Sequence, residues 1–134
     1  MTDYRTNRAA SVTSGLASWM QTLIGYVRSA KPDLTNRQMA ILLLVYLERG
    51  PHTVRGLAAR LSVSKPVITR ALNTLGAYGY IRRQKDESDL RNIFVERTAS
   101  GEDFLESFED LIAREDENDR DSDSRYSRDQ PATH

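Results

Sequence analysis

Cysteine is absent from the 134 residues, which excludes disulfides, thiolate-bound metals and thiol redox switches. Histidine occurs only at His52, in a Gly-Pro-His-Thr turn where it reads as a loop residue, and at the terminal His134. That is too little imidazole for a histidine metal cluster or a nucleophile–histidine–acid array. Glycine-rich phosphate loops are also missing. Asp119, Asp121 and Asp123 imitate the opening of a calcium loop, but Ser124 and Gln130 stand where the glycine and the bidentate glutamate are needed. The longest apolar run, Met39 to Leu47, is nine residues, too short to cross a bilayer. The polar start MTDYRTNRAASVTSG has no apolar signal core. These absences leave no enzyme, cofactor or metal reading and predict a soluble, cytoplasmic chain with no membrane partner.

An excess of one charge is missing too, because 19 Lys/Arg balance 19 Asp/Glu. The distribution is far from even. Arg49 to Arg97 holds ten bases against four acids, whereas Thr98 to the end holds four arginines against twelve acids. A basic block followed by an acidic one is an electrostatic footprint that the zero net charge hides.

Hydrophobic spacing divides the chain into a flexible start at residues 1–14, a folded domain at 15–113, and a disordered acidic tail at 114–134. The tail is nearly free of aliphatic residues and cannot repay the entropy of ordering. Leu16, Trp19, Met20, Leu23, Ile24 and Val27 lie on one face of a first helix, which Pro32 brings to an end. Thr35 with Gln38 three residues on is a capping box for a second helix. Its body from Met39 to Leu47 is apolar almost all round and reads as the central buried helix. Ser100 with Asp103 reads as the cap of a last helix, whose stripe is Phe104, Leu105, Phe108, Leu111 and Ile112.

Between these flanks, Thr53 to Thr98 reads as helix, tight turn, helix and a two-stranded hairpin. In TVRGLAARL, Val54, Leu57, Ala58 and Leu61 share one face. In KPVITRALNTLGAYG, Ile68, Ala71, Leu72 and Leu75 form the buried stripe. A helix-turn-helix with a hairpin wing places its second helix in a DNA major groove. Ser64 is the expected N-cap and Pro66 suits the first turn. Lys65, Thr69 and Arg70 are exposed at the entry end, with Asn73 and Thr74 a turn further on. Arg70 can pair with guanine or hold a phosphate, Asn73 can read adenine, and Val67 can meet a thymine methyl. The wing offers Arg82, Arg83 and Lys85 on its outgoing strand and Arg91 at its tip, where a narrow minor groove attracts arginine. Asp89 is expected to brace Arg91 rather than to face phosphate.

The fold class is therefore mainly α with a small β-hairpin wing, a winged helix-turn-helix. With these residues in place, the chain resembles the MarR family of bacterial winged-helix regulators. The likeness rests on LTNRQMAILLLVYLERGPHTV, on VSKPVITRALNTL leading to GYIRR, on the wing element Asp86, Asp89, Arg91, and on Thr98 with Gly101. The resemblance implies a homodimer on a pseudo-palindromic operator in double-stranded DNA, acting as a repressor, with Lys65 to Thr74 in the major groove and Arg91 in the minor groove. Many members release DNA when a small, often aromatic, ligand binds, so the resemblance adds a small-molecule effector as a candidate partner. Dimerisation would use the stripes at Trp19, Leu23, Val27 and at Phe104, Phe108, Leu111, Ile112, although the same stripes could pack on each other within one chain. The competing function is a winged-helix module that docks a protein and binds DNA weakly or without specificity.

Overall fold

The computed structural model describes the backbone of residues 2–128 and the side chains of residues 14–114. Among the described residues, five helices and three short strands follow in the order α1 (Thr2–Arg28), α2 (Asn36–Leu47), β1 (His52–Thr53), α3 (Val54–Leu61), α4 (Lys65–Ala77), β2 (Ile81–Lys85), β3 (Ile93–Arg97) and α5 (Ala99–Arg128). They divide into two compact units, one of residues 33–106 and one of residues 1–32 with 107–134.

In the unit of residues 33–106, α2 starts where the capping box places it. The Thr35 hydroxyl accepts from the Gln38 N–H at 3.1 Å, and the Gln38 side chain accepts from the Thr35 N–H at 2.9 Å. Ile41, Leu42 and Val45 are buried, but Leu47 is 76% exposed, so α2 is buried on one face rather than all round. Thr53 caps α3 by accepting from the Gly56 N–H at 2.9 Å. Ser62 ends α3 in the left-handed conformation, φ 55°. The Val63 N–H then returns to the Ala58 carbonyl at 3.0 Å, making the tight turn into α4. On α4 the predicted stripe Ile68, Ala71, Leu72 and Leu75 is the buried one. Gly79, at φ 79°, turns the chain out of α4, a backbone conformation that side chains disfavour.

The wing differs from a lone hairpin. β3 lies in the middle of a three-stranded antiparallel sheet ordered β1-β3-β2, with His52 opposite Val95 and Arg83 opposite the same residue on the other edge. His52 is thus a strand residue, its Nε2 lying 2.9 Å from the Glu48 carbonyl. Strand ends are tied to helices by Tyr46. Its hydroxyl accepts from the Thr98 N–H at 2.8 Å and donates to the Tyr80 carbonyl at 2.9 Å, with the Thr98 carbonyl competing at 3.0 Å. Gly101 sits so close that a Cβ there would overlap both the Tyr46 hydroxyl and the Tyr80 carbonyl. Thr98, not Ser100, caps α5: its hydroxyl accepts from the Gly101 N–H at 3.0 Å and donates to the Gly79 carbonyl at 2.6 Å.

In the other unit, Phe108 meets Tyr26 edge-on with ring centroids 5.4 Å apart and Trp19 at 6.3 Å. The Tyr26 hydroxyl donates to the Pro32 carbonyl. Gly25 fits against Leu111, whose side chain would stand 2.9 Å from an added Cβ. The terminal helices run further than the apolar patterning: α1 begins at Thr2 and α5 continues to Arg128. Once a helix is nucleated, each further residue adds a local backbone hydrogen bond without needing a packed face. The unstructured start expected at residues 1–14 and the tail expected from residue 114 are therefore helical backbone where described, and residues 129–134 of that tail lie outside the described residues.

Candidate nucleic-acid interface

Burial of the stripe on α4 fixes what the opposite side must expose. Lys65, Pro66, Thr69, Arg70 and Asn73 are exposed, while Val67 and Thr74 are partly covered. No acidic residue lies anywhere on α4. Ser64 occupies the N-cap position in extended conformation, yet its side chain makes no capping hydrogen bond. Its backbone carbonyl does that work instead, accepting from the Val67 N–H at 3.1 Å. The Thr74 hydroxyl donates back to the Arg70 carbonyl at 3.5 Å, a long bond.

The wing cations are not equivalent. Arg82 pairs across the strands with Glu96, Nη2 to Oε2 at 2.6 Å, as their register demands. It is therefore less available to a phosphate than the sequence suggested. Arg83 and Lys85 share the other face of β2 by strand alternation. They are exposed and make no ion pair among the described residues. On α3, Arg60 is held by Glu48 at 2.9 Å, and this hydrogen bond raises the guanidinium pKa above its usual range.

At the wing tip Asp86 and Asp89 bond groups of the loop itself. The Asp86 carboxylate accepts from the Ser88 N–H at 2.9 Å and the Ser88 hydroxyl at 2.6 Å. The hydroxyl bond is the first cause of a carboxyl pKa below the ordinary value, followed by the N–H bond. Asp89 accepts from the Arg91 N–H at 3.1 Å. This bond reaches the Arg91 backbone, and the exposed guanidinium makes no ion pair among the described residues. Acids that neutralise a loop's N–H groups shape the tip and leave its cation to point outward.

Two of the expected dimerisation residues are placed elsewhere. Phe104 is 2% exposed and stacks on Tyr80 with centroids 4.6 Å apart, so it is a core residue rather than an interface one. Phe108 is buried in the aromatic cluster with Trp19 and Tyr26. On α1, by contrast, Leu16, Trp19, Met20, Leu23, Ile24 and Val27 are 37–73% exposed and line an open cavity of about 540 Å³. Sequence reasoning also passed over Arg37. This exposed residue in the first turn of α2 shares a groove with Arg70; only the packing of α2 against α4 reveals it. Among the described residues there is no group of three histidines or carboxylates able to hold a metal, and no helix long and apolar enough to cross a membrane.

Comparison with known proteins agrees with this geometry. Residues 34–93 match the MarR family model. The transcriptional regulator AdcR of Streptococcus pneumoniae is 38% identical over 78 residues, 58% of this chain and 51% of AdcR, so the match spans about half the length of that curated relative. The transcriptional regulator Tm0710 of Thermotoga maritima superposes with a TM-score of 0.66 at 25% identity, covering 90% of this chain and 80% of that one. The MepR–DNA complex of S. aureus shares the fold with a TM-score of 0.59 at 19% identity, covering 95% of both chains.

Proposed function

We infer, from a winged-helix segment at residues 34–93 that matches the MarR family, that this chain is a sequence-specific DNA-binding transcriptional regulator. The observation that carries the reading is the solvent face of α4. Lys65, Thr69, Arg70 and Asn73 stand exposed on a helix that has no acid, and the wing beside it presents Arg83, Lys85 and Arg91. A polyanion with hydrogen-bonding base edges is the ligand that such a face fits. In this reading α4 lies in the major groove, Arg91 enters the minor groove, and Arg83 and Lys85 hold phosphates.

The protein acts as a homodimer on a pseudo-palindrome, with each copy reading one half-site. Support comes from α1, whose exposed apolar stripe is the kind of surface that a second copy covers. Trp19, Leu23 and Val27 are its centre, and Leu111, which packs against Gly25, and the exposed Ile112 extend it on α5. Repression follows from occupancy: a dimer seated on promoter DNA excludes polymerase.

Selection of bound duplexes from a random pool tests the reading. The expected result is an enriched palindrome with half-site centres about one helical turn apart. Failure of any motif to enrich would overturn specific DNA binding and favour the protein-docking module.

A further inference from the structure

Thr35, Arg37 and Gln38 at the start of α2, with Val67, Arg70, Ala71 and Thr74 on α4, line a groove of about 190 Å³. Two arginines thus share one depression whose lining contains no carboxylate. Neither forms an ion pair among the described residues. The other polar groups at the α2 side are already committed, because Thr35 and Gln38 are locked in their reciprocal cap. What remains free are the guanidinium donors. Like charges gathered without a counter-charge repel one another, and an anion seated between them removes that cost.

Arg70 also marks the edge of the α4 face. Pro66 and Asn73 lie on its exposed side, while Val67 and Thr74 turn toward the groove. A duplex whose major groove holds α4 would bring a strand's backbone along that edge. We propose that Arg37 and Arg70 together clamp one DNA backbone phosphate at this groove, so that Arg70 positions the helix rather than reading a base. The clamp rests on the DNA-binding function inferred above. It adds Arg37, from outside the helix-turn-helix and wing, to the interface.

The test uses the full chain and the duplex that the wild type selects, with affinity measured across a salt series. Arg37→Ala and Arg70→Ala are each expected to weaken binding several-fold on matched and mismatched duplexes alike. Each should also lower the slope of log affinity against log salt, and removing both should lower it by about 1, the share of one phosphate. Arg37→Lys should restore the slope, since a phosphate contact needs charge more than shape, and thermal melting of each variant confirms folding. Unchanged affinity and slope in Arg37→Ala, with wild-type binding intact, would overturn the clamp alone. A changed base preference in Arg70→Ala would return that arginine to base reading and also overturn it. Thermal stabilisation of the wild type but not Arg37→Ala by inorganic phosphate, with DNA affinity unmoved, would assign the groove to a free anion instead. Absence of any specific duplex for the wild type would overturn the clamp and the parent reading together.

Discussion

Helices α1 and α4 are both amphipathic, and each leaves a large face in solvent, but the two faces are chemically opposite. On α4 the apolar stripe is buried and the open side carries Lys65, Thr69, Arg70 and Asn73. On α1 the open side carries Leu16, Trp19, Met20, Leu23, Ile24 and Val27. A polar, basic face has no cost in water and gains by meeting an anion. An apolar face costs roughly 25 cal/mol for each Å² it leaves wet, so it gains by meeting another apolar surface. In the proposed function this contrast separates two tasks, reading DNA with α4 and pairing chains through α1.

The largest effect should come from spoiling the apolar face. Leu23→Glu puts a charge into the centre of the α1 stripe, and light scattering should find a dimer for the parent and a monomer for the variant. Losing the tether between half-sites should then weaken operator binding by about 10²–10⁴-fold. A monomeric variant with full operator affinity would break the division of labour. Phe104→Ala provides the control for the core. It should cost about 3–5 kcal/mol in denaturant unfolding yet leave the folded fraction in the parent's oligomeric state, since Phe104 stacks on Tyr80 within the chain.

Smaller losses belong to the polar side. Arg91→Ala and Asn73→Ala should each weaken operator binding by about 1–3 kcal/mol, measured by fluorescence anisotropy, without changing oligomeric state. Arg82→Ala should do less, because Glu96 already holds that guanidinium. The smallest effect is a titration at the wing tip. Hydrogen bonds from Ser88 favour the Asp86 carboxylate in the folded wing and lower its pKa. The order they lend the tip is therefore complete above the ordinary carboxylate range, about pH 4, and fades as the pH falls through the lowered folded value. Carboxyl NMR should show an Asp86 midpoint below the ordinary one, and Ser88→Ala should move it up.

The parts of this architecture that were legible in sequence are those set by local rules. The Thr35–Gln38 box and the stripe of α4 depend on residues within a few positions of one another, and both stand as the spacing predicts. Features decided by distant partners were hidden. β1 exists because His52 and Thr53 pair with Val95 and Phe94 of β3, far along the chain. Ser100 with Asp103 matches a cap pattern, but Tyr46 holds the Thr98 backbone in place and hands the cap to Thr98. Phe104 fits an interface stripe by spacing, and only Tyr80 shows it to be core. Arg37 belongs to the candidate site because α2 packs on α4, which no period in the sequence encodes. At the wing, Asp89 bonds the Arg91 backbone N–H, a contact that the spacing of the two residues makes possible but does not show.

Hydrogen exchange on the free protein and on its complex with the selected duplex tests the division of labour most directly. DNA should add protection over residues 64–74 and 82–92 and leave residues 16–27 unchanged, already covered by the second copy. Protection gained at 16–27, with none at 64–74, would contradict the account.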